Sequence, residues 1–183
     1  MSNNIGRLIY PHNFIEEIRG SLIILDTTIL IGCIVDNPAY IELFHLLKIN
    51  DCSFFTIDLC VFEFLKGSEK LGDKIKKEKF LETWDIPYLL SSELTNEFYH
   101  ILSIYRKSGA TIEIPDLFLA AILKRYDNNP KTYLLTANYT DFPVNYFQRK
   151  HILIAEEEKH IKPLVFLQLH KDNFIKGSKS FYS

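Results

Sequence analysis

The chain has no CxxC pair, no HxxxH or HExxH, no GxGxxG and no GxxxxGK[ST]. Its three cysteines, Cys33, Cys52 and Cys60, sit apart among apolar neighbours. Each absence removes a class of function. Scattered histidines and cysteines offer zinc no ligand set, and the missing glycine-rich loops remove dinucleotide and P-loop chemistry. An odd number of cysteines without motif spacing suits reduced, buried thiols used as small hydrophobes. Charge of one sign is lacking too: the formal net charge is −2, so no global field draws the protein to a polyanion or an anionic membrane. Contact with a polyanion then has to come from a local patch or from bound metal. The longest apolar stretch, Leu22 to Val35, is too short for a membrane helix and carries Asp26 near its middle. The first residues, Met1-Ser-Asn-Asn-Ile-Gly-Arg7, lack the charged-then-apolar layout of a signal peptide. The expectation is a soluble, cytoplasmic protein with no membrane partner.

What is present is the balance of a globular protein. Of 183 residues, 47% are hydrophobic, 14% aromatic and 24% charged. No repeat and no Gly/Ser/Pro-rich linker divides the chain, so one domain with a sizeable core is expected. Leu22-Ile-Ile-Leu25 is a continuous apolar run suited to a strand buried on both faces. Thr28–Val35 follows, then a helix over Pro38–Lys48 with Asn37 as N-cap candidate and Pro38 at its first position. Ser53–Ile57 reads as a second strand, Leu59–Lys66 as a helix ended by Gly67, and Lys70–Thr83 as a charged helix. Ile86–Leu90 is a short third strand. Ser91 or Ser92 caps a helix whose Leu94, Phe98, Ile101, Leu102 and Tyr105 keep helical spacing. Asp116–Tyr126 is helical, Tyr133–Thr136 is the fourth strand and His151–Ala155 the fifth. Strands alternating with helices imply βαβ units and a parallel sheet, so ligands are expected beyond the carboxyl ends of the strands.

Acids fall at those ends. Asp26 follows the first strand directly, Glu63 lies on the helix after the second, Asp116 opens a later helix, and Asn138 and Asp141 follow the fourth strand. Carboxylates held close together repel and take up protons. A hard divalent cation, Mg²⁺ or Mn²⁺, relieves that repulsion, and it can activate water against a phosphodiester. Taken singly, each acid has another reading: Asp26 as an N-cap with Thr27 and Thr28, Glu63 as a surface residue, Asp116 as a first-turn charge after Pro115, Asp141 as part of a turn before Pro143. Phosphatases of the haloacid-dehalogenase type need a second Asp two residues after the first, where Thr28 stands. Response-regulator receivers need a pair of acids after the first strand, where this chain has one.

Four segments resemble the motifs of the PIN domain, a family of metal-dependent ribonucleases that includes the VapC toxins. They are Ile23-Ile-Leu-Asp-Thr-Thr-Ile-Leu-Ile31, Thr56-Ile-Asp-Leu-Cys-Val-Phe-Glu-Phe-Leu-Lys-Gly67, Ile114-Pro-Asp-Leu-Phe-Leu-Ala-Ala-Ile122 and Leu135-Thr-Ala-Asn-Tyr-Thr-Asp-Phe142. The resemblance runs from about residue 22 to 155, leaving an N-terminal extension, 1–21, and a C-terminal tail, 156–183, which the basic pattern does not require. It implies a three-layer α/β fold with a central parallel sheet of about five strands and helices on both faces. It also implies that Asp26, Glu63 and Asp116 are catalytic metal-binding acids, with Asp141 or Asn138 at the fourth corner. Thr27, Thr136 and Asn138 would contact substrate or water. Thr28 departs from the Asn or Ser commoner after Asp-Thr.

The function expected is therefore a Mg²⁺/Mn²⁺-dependent endoribonuclease, either the toxin of a toxin–antitoxin pair or an RNA-processing enzyme. Its expected partners are RNA, an antitoxin protein and a second copy of the chain. The rival is an inactive PIN-like module that binds RNA or protein. One basic stretch, Lys66, Lys70, Lys74, Lys76, Lys77 and Lys79, offers a phosphate-contacting ridge one turn beyond Glu63, although Glu69, Asp73, Glu78 and Glu82 dilute it. A solvated helix face is the favoured reading of that stretch.

Overall fold

The computed structural model describes residues 7–35, 38–68, 70–108, 112–157 and 160–170. Chain order runs β1 (Arg7–Ile9), α1 (Phe14–Ile18), β2 (Leu22–Leu25), α2 (Thr27–Ile34), α3 (Pro38–Ile49), β3 (Ser53–Ile57), α4 (Asp58–Lys66), α5 (Leu71–Thr83), β4 (Tyr88–Leu89), α6 (Thr95–Ser108), α7 (Ile114–Arg125), β5 (Thr132–Thr136), β6 (Phe147–Glu157) and β7 (His160–Leu169). The runs Leu22–Leu25 and Ser53–Ile57 form strands with the bounds their apolar residues predict. Helix α3 starts at Pro38, while its cap candidate, Asn37, lies outside the described residues. Gly67 ends α4 as expected but with an ordinary φ of −69°, so left-handed backbone is not what stops the helix. Ser91 and Ser92 do not cap α6. They belong to a 3₁₀ turn, Ser91–Leu94, that leads into it.

The strands make one seven-stranded sheet in the order β1-β6-β7-β5-β2-β3-β4. Four neighbours, β5, β2, β3 and β4, run parallel. The other pairings are antiparallel: β7 on β5, β6 on β7 and β1 on β6. The expected sheet of about five parallel strands is thus corrected to a mixed one. The reason is connection length. A parallel neighbour needs a crossover of a dozen or more residues, whereas β6 ends at Glu157 and β7 begins at His160. The fifth predicted strand, His151–Ala155, is the middle of the longer β6, and both flanking regions join the sheet. β1 comes from the supposed extension and β7 from the supposed tail.

Pleating distributes each strand over two cores. Ile23 and Leu25 of β2, Phe54 of β3, and Tyr133 and Leu135 of β5 pack with α1, α2, α3 and α5. Ile24, Phe55, Ile57 and Leu134 face the other way, against α6 and α7. Helices therefore cover both faces of the parallel strands, which explains why those strands read as unbroken apolar runs. All three cysteines are free and buried. Among the described residues no single helix is long and apolar enough to cross a membrane.

Lys77 departs from the basic ridge. It is 9% exposed, its Nζ donates to the carbonyl of Phe64 at 2.6 Å, and it lies 5.2 Å from the Phe64 ring centroid. Its charge holds α5 to the last turn of α4, whose carbonyls lack helical partners. Lys74 is exposed and paired with Glu78 at 3.7 Å. The segment is therefore neither a continuous cationic ridge nor a wholly solvated face.

Candidate acidic site at the strand-order reversal

From β2 the chain moves outward through β3 to β4, then returns to place β5 on the other side of β2. Strand order reverses between β2 and β5, and in open α/β sheets such a point opens a crevice at the carboxyl ends. Leu25 pairs with Leu135 there, and the amide of Asp26 donates to the Leu135 carbonyl at 3.1 Å. Asp26 and Thr136 thus leave the sheet side by side.

Asp26 is 5% exposed. It occupies the N-cap position of α2 without making a side-chain capping hydrogen bond. Its Oδ2 instead accepts the hydroxyls of Thr28 at 2.7 Å and Thr136 at 2.5 Å. The Thr28 oxygen accepts the amide of Ala137 at 3.1 Å, and the Thr136 oxygen that of Asn138 at 2.8 Å. These bonds lock the two strand ends around one carboxylate. Burial raises the Asp26 pKa above the usual carboxylate range, against the lowering effect of the Thr136 and Thr28 donors.

Asp116 lies in the first turn of α7, after Glu113 at the N-cap, and is 8% exposed. Burial pushes its carboxyl up to about 8, with the charges of Asp26 and Asp141 and a hydrogen bond to Asp141 adding to the rise. The carboxylates at the end of β2 and in the turn after β5 are therefore each within electrostatic reach of the one at the start of α7. Asp141 ends a 3₁₀ turn, Tyr139–Asp141. Asn138 Nδ2 donates to Asp141 Oδ2 at 2.5 Å, and the buried Tyr105 hydroxyl donates to the Asp141 carbonyl at 3.2 Å. Asn138 and Asp141 are thus joined side chain to side chain.

Glu63 reaches the same corner through Thr27, whose hydroxyl donates to Glu63 Oε2 at 2.8 Å. It is half-buried on α4. The acids approach in pairs rather than as one closed shell. Among the described residues, no three His, Cys, Asp or Glu side chains stand close enough together to hold a metal ion.

Residues the motif reading passed over also shape the site. Thr28, a departure from the family pattern, donates to Asp26. Tyr105, read as an apolar helix position, secures the turn that carries Asp141. Asp58 accepts the Ser91 amide at 3.0 Å and hydroxyl at 3.2 Å, tying the start of α4 to the segment after β4. An acid directly before the predicted helix Leu59–Lys66 is the sequence signal for Asp58; nothing local marks Tyr105.

No family model, curated protein or solved structure matches this chain.

Proposed function

We propose that this chain is a Mg²⁺- or Mn²⁺-dependent ribonuclease of PIN-like type, with Asp26, Asp116 and Asp141 as the acids that would hold the metal and Glu63 in support. One observation carries the reading: at the β2/β5 reversal the buried Asp26 is gripped by hydroxyls from both strand ends, and Asp26 and Asp141 each act electrostatically on the buried carboxyl of Asp116. Their donor chemistry fits a hard cation, because all are carboxylate oxygens. Their number fits too, since Mg²⁺ keeps several waters and needs only one or two protein carboxylates directly. The carboxyl of Asp116 is raised first by burial and then by the negative charges of Asp26 and Asp141, and a cation would relieve the second part.

A bound divalent ion would supply charge neutralisation on a phosphodiester and acidify a water. The chain's own residues supply the rest. Thr28 and Thr136 fix the rotation of the Asp26 carboxylate, Asn138 and Tyr105 hold the Asp141 turn, and Thr27 orients Glu63. An antitoxin protein and a homodimer belong to the same reading and rest on the resemblance alone.

The test is cleavage of single-stranded RNA in Mn²⁺ and in EDTA by the wild type, Asp26→Asn and Asp116→Asn. Metal-dependent cleavage lost in both variants is the expected result. Equal residual activity in all three proteins overturns the assignment and leaves the non-catalytic module as the reading to pursue.

A further inference from the structure

We infer that Tyr139 and Arg149 form a contact for single-stranded nucleic acid at the rim of the acidic corner, taking one nucleobase and its phosphate. The class of ligand rests on the ribonuclease reading; the site rests on its own geometry. A corner lined by Asp26, Asp116 and Asp141 offers a phosphodiester strand no attraction of its own, and a net charge of −2 adds no compensating pull. A polyanion drawn to this corner therefore needs a cation beside it.

Several cations are already engaged. Lys77 is turned onto the Phe64 carbonyl, Lys74 lies by Glu78, Lys124 is paired with Asp127, and Arg125 lies between Glu93 and Glu97. Arg149 differs. It is exposed, no carboxylate among the described residues pairs with it, and its guanidinium carbon sits 4.5 Å from the centroid of the Tyr139 ring. The register of β6 against β7 shifts between Arg149 and His151, an irregularity of the kind that re-aims a side chain.

Tyr139 is tied to the acids. It opens the turn that ends in Asp141 and follows Asn138, whose amide donates to the Thr136 oxygen that in turn donates to Asp26. Tyr139 thus sits in the turn that those hydrogen bonds anchor, and the Arg149 guanidinium lies over its ring. A guanidinium over a tyrosine ring offers a planar face on which a base stacks, and N–H donors for the adjoining phosphate. Single strands are recognised by this combination of stacking and local positive charge.

The test is fluorescence anisotropy of a labelled oligouridine with the full chain in EDTA, where metal-dependent cleavage is off, across about 50 to 200 mM salt. Arg149→Gln should weaken binding several-fold and flatten the log–log salt slope by about 0.7, the amount expected for one lost single-strand phosphate contact. Tyr139→Ala should weaken binding roughly tenfold, and Tyr139→Trp should preserve it, because the stacking face remains. Wild-type affinity and slope in Arg149→Gln, or no binding by the wild type at low salt, overturns the inference. Arg149-dependent binding without any Mn²⁺-dependent cleavage would sink the nuclease reading while leaving this contact in place. Cleavage with an unchanged KM in Arg149→Gln would do the reverse.

Discussion

Thr136 and Asp26, at the ends of adjacent parallel strands, share a hydrogen bond of 2.5 Å in which the hydroxyl donates to Oδ2. Each threonine hydroxyl at this corner bridges a backbone amide and the carboxylate. The Thr136 oxygen accepts the Asn138 amide and the Thr28 oxygen the Ala137 amide, while both hydroxyls donate to Asp26. Oδ2 is thus an acceptor twice over.

Thr136→Val, which keeps the shape and removes the hydroxyl, should cost about 1–3 kcal/mol, because a buried carboxylate and the Asn138 amide both lose a partner. Thr136→Ser should recover most of it. Urea denaturation of the three proteins decides the matter, and equal midpoints for wild type and Thr136→Val would remove this bond from the account.

Asp116 gives stability a pH dependence of definite sign. Its folded carboxyl, pushed up to about 8, lies above the ordinary value of 3.8. Between those two values the folded state holds a proton that the unfolded state has released. Stability from this group is therefore fully present below the unfolded value and falls as pH rises through about 8. In EDTA the wild type should melt at a higher temperature at mildly acidic pH than at alkaline pH. Asp116→Asn should show a flatter profile, and added Mn²⁺ should flatten that of the wild type by favouring the charged carboxylate.

Lys77→Met should destabilise by about 1–3 kcal/mol by leaving the Phe64 carbonyl without its donor. Lys74→Gln, at an exposed residue of the same helix, should stay within about 0.5 kcal/mol of wild type. Thermal or chemical denaturation of both variants separates the buried lysine from its solvated neighbour.

Gly32→Ala sets two effects against each other. In a helix interior alanine is favoured over glycine by about 1 kcal/mol. Here the new Cβ would meet the buried Tyr40 ring at 2.2 Å, and overpacking of that kind costs about 1–3 kcal/mol. Because the approach is so close, the steric cost should win, and the variant should unfold at lower denaturant. A gain in stability would mean that α3 can move away from α2 at little cost.

The elements legible in the sequence were those whose signal is local. Leu22–Leu25 and Ser53–Ile57 stood out because strands covered on both faces need apolar residues at every position. Pro38 marked its helix because a missing N–H costs nothing in a first turn. Direction and neighbour order left no such mark. The apolar run in β7, Leu164-Val-Phe-Leu167, resembles any other buried run, and only pairing shows it wedged antiparallel between β5 and β6. Lys77 likewise has the sequence context of a surface lysine, and its burial depends on where α4 ends.

By itself the sequence determined that acids stand just after the apolar runs, and that no zinc, dinucleotide or P-loop motif competes with them. Composition and short-range order suffice for that, because ligand chemistry and strand formation depend on residue type and immediate neighbours. Tertiary structure alone decided that Asp26 is held by Thr28 and Thr136 rather than capping its helix, that Asn138 serves Asp141, and that Tyr139 carries Arg149 beside them. Those relationships join residues up to 110 positions apart. They exist because β5 returns to the far side of β2, a choice of strand order that no local stretch of the chain encodes.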